Sequence, residues 1–242
     1  MHNAHWAGSN NWPVHQIDIN NVFLYGDLKE TVFMLQPPGL ESANYSLVCK
    51  LNKAIYGLKQ TPRSWFHKLS ATLSSLGFSS TKSDSSLFVK FHKTHTMMVL
   101  IYVDDIIITG TSTSNIQALI SCLRQHFTLK DMGRLHYFLS IEASWTNNGD
   151  LHLSQTKYIK DFLNKSNMSS ARPQPSPMIS STHITQDGSK AFSDTSLYRS
   201  IVGSLQYVLL TRPEISYSIN KVFQFMHNPQ EHYWKSVKCI LH

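Results

Sequence analysis

The chain has 242 residues, 41% hydrophobic and 15% charged, a balance that suits one or two buried cores and excludes a disordered polar chain. Its 22 Lys and Arg against 15 Asp and Glu give a net charge of +7, which suits a polyanionic partner but also fits many proteins that never meet nucleic acid. Cys49, Cys122 and Cys239 are odd in number and far apart, so they suggest neither a disulfide framework nor a CxxC zinc site, and a reducing interior is expected.

Residues 1 to 13 are polar, lack the basic segment and apolar core of a secretion signal, and read as a disordered lead-in ending at Pro13. Val14 to Phe23 has strand composition with Asp18 near the strand's end, and Phe23 to Leu28 begins a helical turn. Val32 to Leu35 and Val48 to Leu51 read as short strands, punctuated by the QPPG of Gln36 to Gly39. In KLNKAIYGLKQTPRSW, Lys50, Lys53, Lys59 and Arg63 interleave with Tyr56 and Trp65 around Gly57. A basic segment whose glycine allows close backbone approach suits template and nucleotide; a solvated helix start is the plain alternative.

From Pro62, the residues Trp65, Leu69, Leu73 and Leu76 recur at helical spacing and Gly77 marks the stop. Strands over Ser86 to Phe91 and Met97 to Val103 follow, and Met97 to Val103 is far too short to cross a bilayer. His92 and His95, at a close ligand-like spacing, flank Lys93 in a turn and read as surface loop. A second helix spans Asn115 to Phe127, with Ile116, Leu119, Ile120, Leu123 and Phe127 on one face. The order strand, helix, strand, strand, helix, strand predicts an α+β fold, a ferredoxin-like antiparallel sheet with helices on one face.

Leu135 to Ile141 and Leu151 to Leu153 read as a hairpin around Asn147, Asn148 and Gly149. Tyr158 to Leu163 begins a helix. Ser169 to Ser189, with Pro173, Pro175 and Pro177, is a linker by composition. Beyond it, Tyr198 to Leu210 and Ile215 to Met226 are two helices separated by Arg212 and Pro213.

The chemistry concentrates in LIYVDDIIITG, Leu100 to Gly110, where Asp104 and Asp105 interrupt an apolar, β-branched run at the position of a hairpin turn. A buried unpaired carboxylate costs several kcal/mol, and two side by side repel unless cations neutralise them. Asp18 is a third carboxylate in a similar apolar setting. Three such groups on two hydrophobic elements could cradle two cations about 4 Å apart, which activate an attacking hydroxyl and stabilise a leaving pyrophosphate. Oxygen-only ligands favour Mg or Mn over zinc. A simple Asp-Asp turn joining two strands is the alternative.

The motifs HQIDINNVFLYGDL, MLQPPG, VCKLNKAIYGLKQTPRSW, YVDDIIITG, FTLKDMGRLHYFLSIE, LSQTKYIKDFL and YRSIVGSLQYVLLTRPEISYSIN, in this order, resemble the reverse transcriptase of copia-type LTR retrotransposons along nearly the whole chain. The resemblance implies an RNA-directed DNA polymerase that transfers a nucleotide from dNTP to a primer 3′ hydroxyl. It implies a polymerase palm with partial fingers over residues 14–153, the start of a thumb over 154–170, and a linker over 171–193. Residues 194–242 would be a connection segment leading toward a ribonuclease H domain that this sequence does not contain.

By the same resemblance, Asp18 and Asp104 bind two Mg or Mn ions with Asp105 assisting, and Phe23 crowds the sugar 2′ position of the incoming nucleotide. An ordinary core phenylalanine is the alternative for Phe23. Tyr56, Gly57, Lys59, Gln60 and Pro62 support the template base, and Phe138, Leu139 and Ser140 form the primer grip, Ser140 standing where the family has glycine. Lys130 would protonate the leaving pyrophosphate, against the plain reading of an exposed lysine after a helix. The implied partners are an RNA or DNA template with primer, dNTPs and other segments of a Gag-Pol polyprotein, with no membrane. The implied location is intracellular, in a cytoplasmic virus-like particle or the nucleus.

A truncated, catalytically silent remnant with at most weak nucleic-acid binding is the other reading. Only 17 residues precede Asp18, where the family carries a long basic fingers segment, so the fingers are largely missing. Val22 in place of alanine and Glu214 in place of the aspartate of a TRPD motif are smaller departures.

Overall fold

The computed structural model describes residues 12–93, 95–178 and 190–241, so nearly all of the expected lead-in and the latter part of the expected linker lie outside the described residues. The chain divides into two compact units. One holds the described residues up to Leu135 with Asn147–Asp150, the other His136–Thr146 with the described residues from Leu151 on.

In the first unit, β1 (Val14–Ile19) is followed by a 3-10 turn at Val22–Tyr25 and a two-stranded antiparallel pair, β2 (Phe33–Leu35) and β3 (Val48–Lys50). Helix α1 (Thr61–Ser75) then leads into β4 (Ser79–Ser80), β5 (Leu87–Phe91), β6 (Thr96–Tyr102) and β7 (Asp105–Gly110). Helix α2 (Thr113–Arg124) and β8 (Leu129–Arg134) complete the unit. The main sheet is antiparallel in the order β4-β5-β6-β7-β1-β8. With β1 and β6 joined through α1 and β7 inserted between them, this is the split βαβ arrangement of a ferredoxin-like sheet.

Local chemistry fixes the helices. Pro62 occupies the first turn of α1, where its missing N–H leaves no intrahelical bond unmade, and Gly77 at φ +85° takes the left-handed conformation that ends it. Ser112 caps α2 by accepting the Asn115 N–H. Both helices then bury one stripe. Trp65, Leu69 and Leu73 of α1 and Ile116, Ile120 and Leu123 of α2 form one core with Ile17, Ile19, Ile106 and Ile108 of the sheet. Phe127, expected at the end of the second helix, packs into this core from beyond it. At the end of β7 a Cβ on Gly110 would stand 2.5 Å from the Thr96 carbonyl oxygen, so only glycine lets the two backbones approach.

The second unit begins with a three-stranded antiparallel sheet of β9 (Tyr137–Phe138), β10 (Ile141–Trp145) and β11 (Leu151–Ser154), in the order β11-β10-β9. The single strand expected over Leu135 to Ile141 is instead two strands joined by a two-residue turn at Leu139 and Ser140, both at positive φ. No Asn-Gly or Asp-Gly announced that turn, which is why the sequence concealed it. The expected hairpin around Asn147 and Gly149 is the next one, β10 to β11.

Helices α3 (Thr156–Lys165), α4 (Thr195–Val208), α5 (Ser216–Phe223) and α6 (Glu231–Leu241) follow, with a 3-10 turn at Pro213–Ile215 between α4 and α5. Asp194 caps α4 through the Leu197 N–H. Phe162 of α3 packs with Tyr198, Ile201, Val202, Leu205, Ile219, Val222, Tyr233 and Val237 in one core, where the Tyr198 hydroxyl donates to the Val222 carbonyl at 2.8 Å. Among the described residues no helix is long and apolar enough to cross a membrane.

Candidate active site

Strand β1, paired on both sides, brings the carboxylates together. Asp18 stands opposite Asp105 of β7 on one side and opposite Lys130 of β8 on the other. Residues directly opposite in an antiparallel pair project from the same face, so Asp105, Asp18 and Lys130 make a row across three strands. That face is the reverse of the one where Ile17 and Ile19 meet the helices. Burial pushes the Asp18 carboxyl above its ordinary value, Asp104 and Asp105 push it further, and Lys130 only partly offsets them.

Asp104 lies in the turn between β6 and β7, whose ends are the pair Tyr102 and Asp105. Val103, its first turn residue, has φ +57°, a conformation that a β-branched residue adopts only under constraint. Two bonds supply it. The indole N–H of buried Trp65 donates to the Val103 carbonyl at 2.7 Å, and the Ile19 N–H donates to the Asp104 carbonyl at 3.0 Å. Helix α1 and strand β1 thus hold the turn that carries Asp104.

Sequence reasoning missed two supports. Gln16, 5% exposed, donates from Nε2 to Asp105 Oδ1 at 3.1 Å and fixes the second carboxylate of the pair. Its position two residues before Asp18, on the same strand face, was the available signal. The other is Asp131, which accepts from the Gly133 N–H at 2.9 Å, pairs with His15 at 2.6 Å and lies 3.7 Å from Arg124. Burial pulls its carboxyl upward, but the Gly133 N–H, His15 and Arg124 outweigh it and hold it below the usual range. This cluster brackets a register shift between β1 and β8, where Gly133 takes φ +75°, an irregularity of the kind that re-aims strands beside sites. Lys130 is exposed on β8, the strand that follows α2.

Phe23 belongs to the core, 8% exposed, and its ring meets Tyr56 edge-on at 4.3 Å. Tyr56 is 63% exposed, and Gly57 at φ +95° turns the chain back toward α1. Thr61 Oγ1 closes the loop by donating to the Ile55 carbonyl at 2.8 Å, leaving Lys59 exposed and Gln60 half-buried at the helix start. Phe138, Leu139 and Ser140 lie in the second unit. His92 and His95 close the β5–β6 turn with backbone bonds and stacked rings.

Among the described residues no group of three or more His, Cys, Asp or Glu side chains is gathered tightly enough to hold a metal ion. The aspartates are within electrostatic reach of one another without forming a closed cage. The donor set still fits a hard divalent cation, being all carboxylate oxygen, with Asp18 raised first by burial and then by its two acidic neighbours. Such a cation usually completes its shell with substrate phosphates and water.

Residues 4–180 match the family described as reverse transcriptase (RNA-dependent DNA polymerase). Over 236 residues the chain is 45% identical to the Retrovirus-related Pol polyprotein from transposon RE1 and 44% to that from transposon RE2, both of Arabidopsis thaliana. Against the polyprotein from transposon TNT 1-94 of Nicotiana tabacum it is 36% identical over 248 residues. Each match covers 97% of this chain, but the chain spans only 16% of the Arabidopsis relatives and 18% of the tobacco one. The chain belongs to the reverse transcriptase family, in the copia-type branch found within the Pol polyproteins of these retrotransposons.

Proposed function

We propose that the chain is the palm, with partial fingers, of an RNA-directed DNA polymerase that extends a primer 3′ hydroxyl with dNTPs on an RNA or DNA template. The observation that carries this reading is the row formed by Asp18 and Asp105 beside the constrained Asp104 turn, with the Asp18 carboxyl raised by burial and by both neighbours. Residues 14–153 make the palm, 154–170 begin the thumb, 171–193 are the linker and 194–242 the connection. The working site is intracellular, in a virus-like particle or the nucleus, and neighbouring Gag-Pol segments are its partners.

Asp18 and Asp104 hold two Mg or Mn ions in this reading, with Asp105 assisting from its anchor on Gln16. The ions supply activation of the attacking hydroxyl and neutralisation of the leaving pyrophosphate. Everything else is positioning. Tyr56, Gly57, Lys59 and Gln60 support the template base, and the Phe23 ring, braced by Tyr56, limits room at the sugar 2′ position. Lys130, in register with Asp18, carries a proton to the pyrophosphate oxygen as it departs. Phe138, Leu139 and Ser140 seat the primer end.

Primer extension on poly(rA) with oligo(dT), in Mg or Mn, tests this with the 242-residue chain and an Asp104→Asn control. Extension by the parent and none by a normally folded Asp104→Asn chain is the expected result. Equal extension by both refutes the metal role, and no extension by a folded parent favours the silent remnant.

A further inference from the structure

The β9–β10 turn has a backbone its sequence does not favour. Leu139 and Ser140 are its two central residues, at φ +48° and +60°. Positive φ at both is the pattern of a type I′ turn, normally filled by Asn, Asp and Gly. A residue with a Cβ is disfavoured there by about 1–2 kcal/mol. An outside contact must therefore hold the turn closed.

That contact comes from α4. The Tyr207 hydroxyl donates to the Leu139 carbonyl, and the half-buried Tyr207 ring is met edge-on by Tyr158 of α3 at 5.1 Å. Tyr158 sends its own hydroxyl elsewhere, to the Ser204 carbonyl at 3.4 Å. The two tyrosines share a ring contact, yet only Tyr207 reaches the turn through this hydroxyl bond. Tyr207 also lies beyond residue 180, where the match to the family ends.

We propose that Tyr207 is a positioning residue for the primer-grip turn, so that helix α4 is a working part of the polymerase although it lies outside the matched family region. The inference rests on the reading of Leu139 and Ser140 as primer-contacting. A turn that is intrinsically disfavoured opens when its brace is removed, and a primer end seated on it loses its fixed geometry. The phenol of Tyr207 suits this task because its rigid ring needs only a ring contact to aim the hydroxyl.

The test compares the full chain with Tyr207→Phe and Tyr158→Phe, each of which removes one hydroxyl and keeps its ring. Amide hydrogen exchange at Ser140 and Ile141 reads the turn, and fluorescence anisotropy with a labelled RNA–DNA primer-template reads binding. Tyr207→Phe is expected to speed exchange at the turn about fivefold, the worth of one neutral hydrogen bond, and to weaken primer-template binding by a similar factor. Tyr158→Phe is expected to leave both unchanged within about twofold, its bond lying within the helices.

Unchanged exchange in Tyr207→Phe overturns the brace. Faster exchange with unchanged affinity overturns the positioning role, as do equal effects from both variants, which would mark a general loosening of the helices. A parent chain that binds no primer-template removes the primer-grip reading and with it the positioning role, while exchange still decides whether Tyr207 braces the turn.

Discussion

Replacing Val103 separates backbone strain from every other contribution at the Asp104 turn. Its φ of +57° costs a residue with a Cβ about 1–2 kcal/mol. The side chain is 42% exposed, so truncation forfeits little burial, and the Trp65 bond uses the backbone carbonyl, which any residue keeps. Val103→Ala retains the Cβ and the strain; Val103→Gly loses both. At an ordinary position glycine is less stable than alanine by about 0.5–1 kcal/mol, because it frees the unfolded chain.

Subtracting that entropy from the relieved strain leaves glycine more stable than alanine here, by about 0.5–1 kcal/mol. The sign is inverted. For a chain of this size the first unit of Val103→Gly should melt about 1–4 °C above that of Val103→Ala by calorimetry. Because the same turn carries Asp104, primer extension by the glycine variant should fall while its stability rises. A glycine variant that melts below the alanine variant would refute the strain argument.

Asp131 and Asp18 should show opposite acid responses. Asp131 is held below its ordinary value of 3.8, so its stabilising contribution is complete above that value and lost as pH falls through its folded pKa; Asp131→Asn should flatten this part of a urea-midpoint profile. Asp18 is raised, so its contribution is complete below 3.8 and lost as pH rises through its folded pKa. Asp18→Asn should therefore stabilise the metal-free chain at pH 7 in the same titration. Gly110→Ala forces a Cβ against the Thr96 carbonyl and should cost about 1–3 kcal/mol in urea unfolding. Ser140→Gly should stabilise the second unit by about 0.5–1 kcal/mol, since the residue already sits at φ +60°; a loss would contradict the assigned turn.

What the sequence made legible was periodic or chemically odd. Trp65, Leu69 and Leu73, and Ile116, Ile120 and Leu123, announced two helices by spacing and are fully engaged in one core. Asp18 and the Asp104–Asp105 pair stood out as charge within apolar runs. Their mutual placement did not, because strand order depends on pairings between distant residues such as Asp18 and Asp105. Val103, Leu139 and Ser140 adopt positive φ without glycine or asparagine, so the turns at both proposed contact points carried no local mark. Helix α6 was overlooked although Tyr233, Val237 and Leu241 recur at a spacing of four along its buried face.

The place of β1 between β7 and β8 has a temporal side. This strand leaves the ribosome well before its neighbours β7 and β8, so Asp18 meets Asp105 and Lys130 only after Arg134 has been synthesised. The β6–β7 hairpin is local and can close early, whereas β1 waits as an unpaired apolar segment, open to wrong associations. A retroelement copy that lacks β1 would keep the Asp-Asp hairpin as a recognisable fossil while losing the pairing that makes it a site. Survival of the motif in a genome and survival of the catalytic geometry are therefore separate questions for this family.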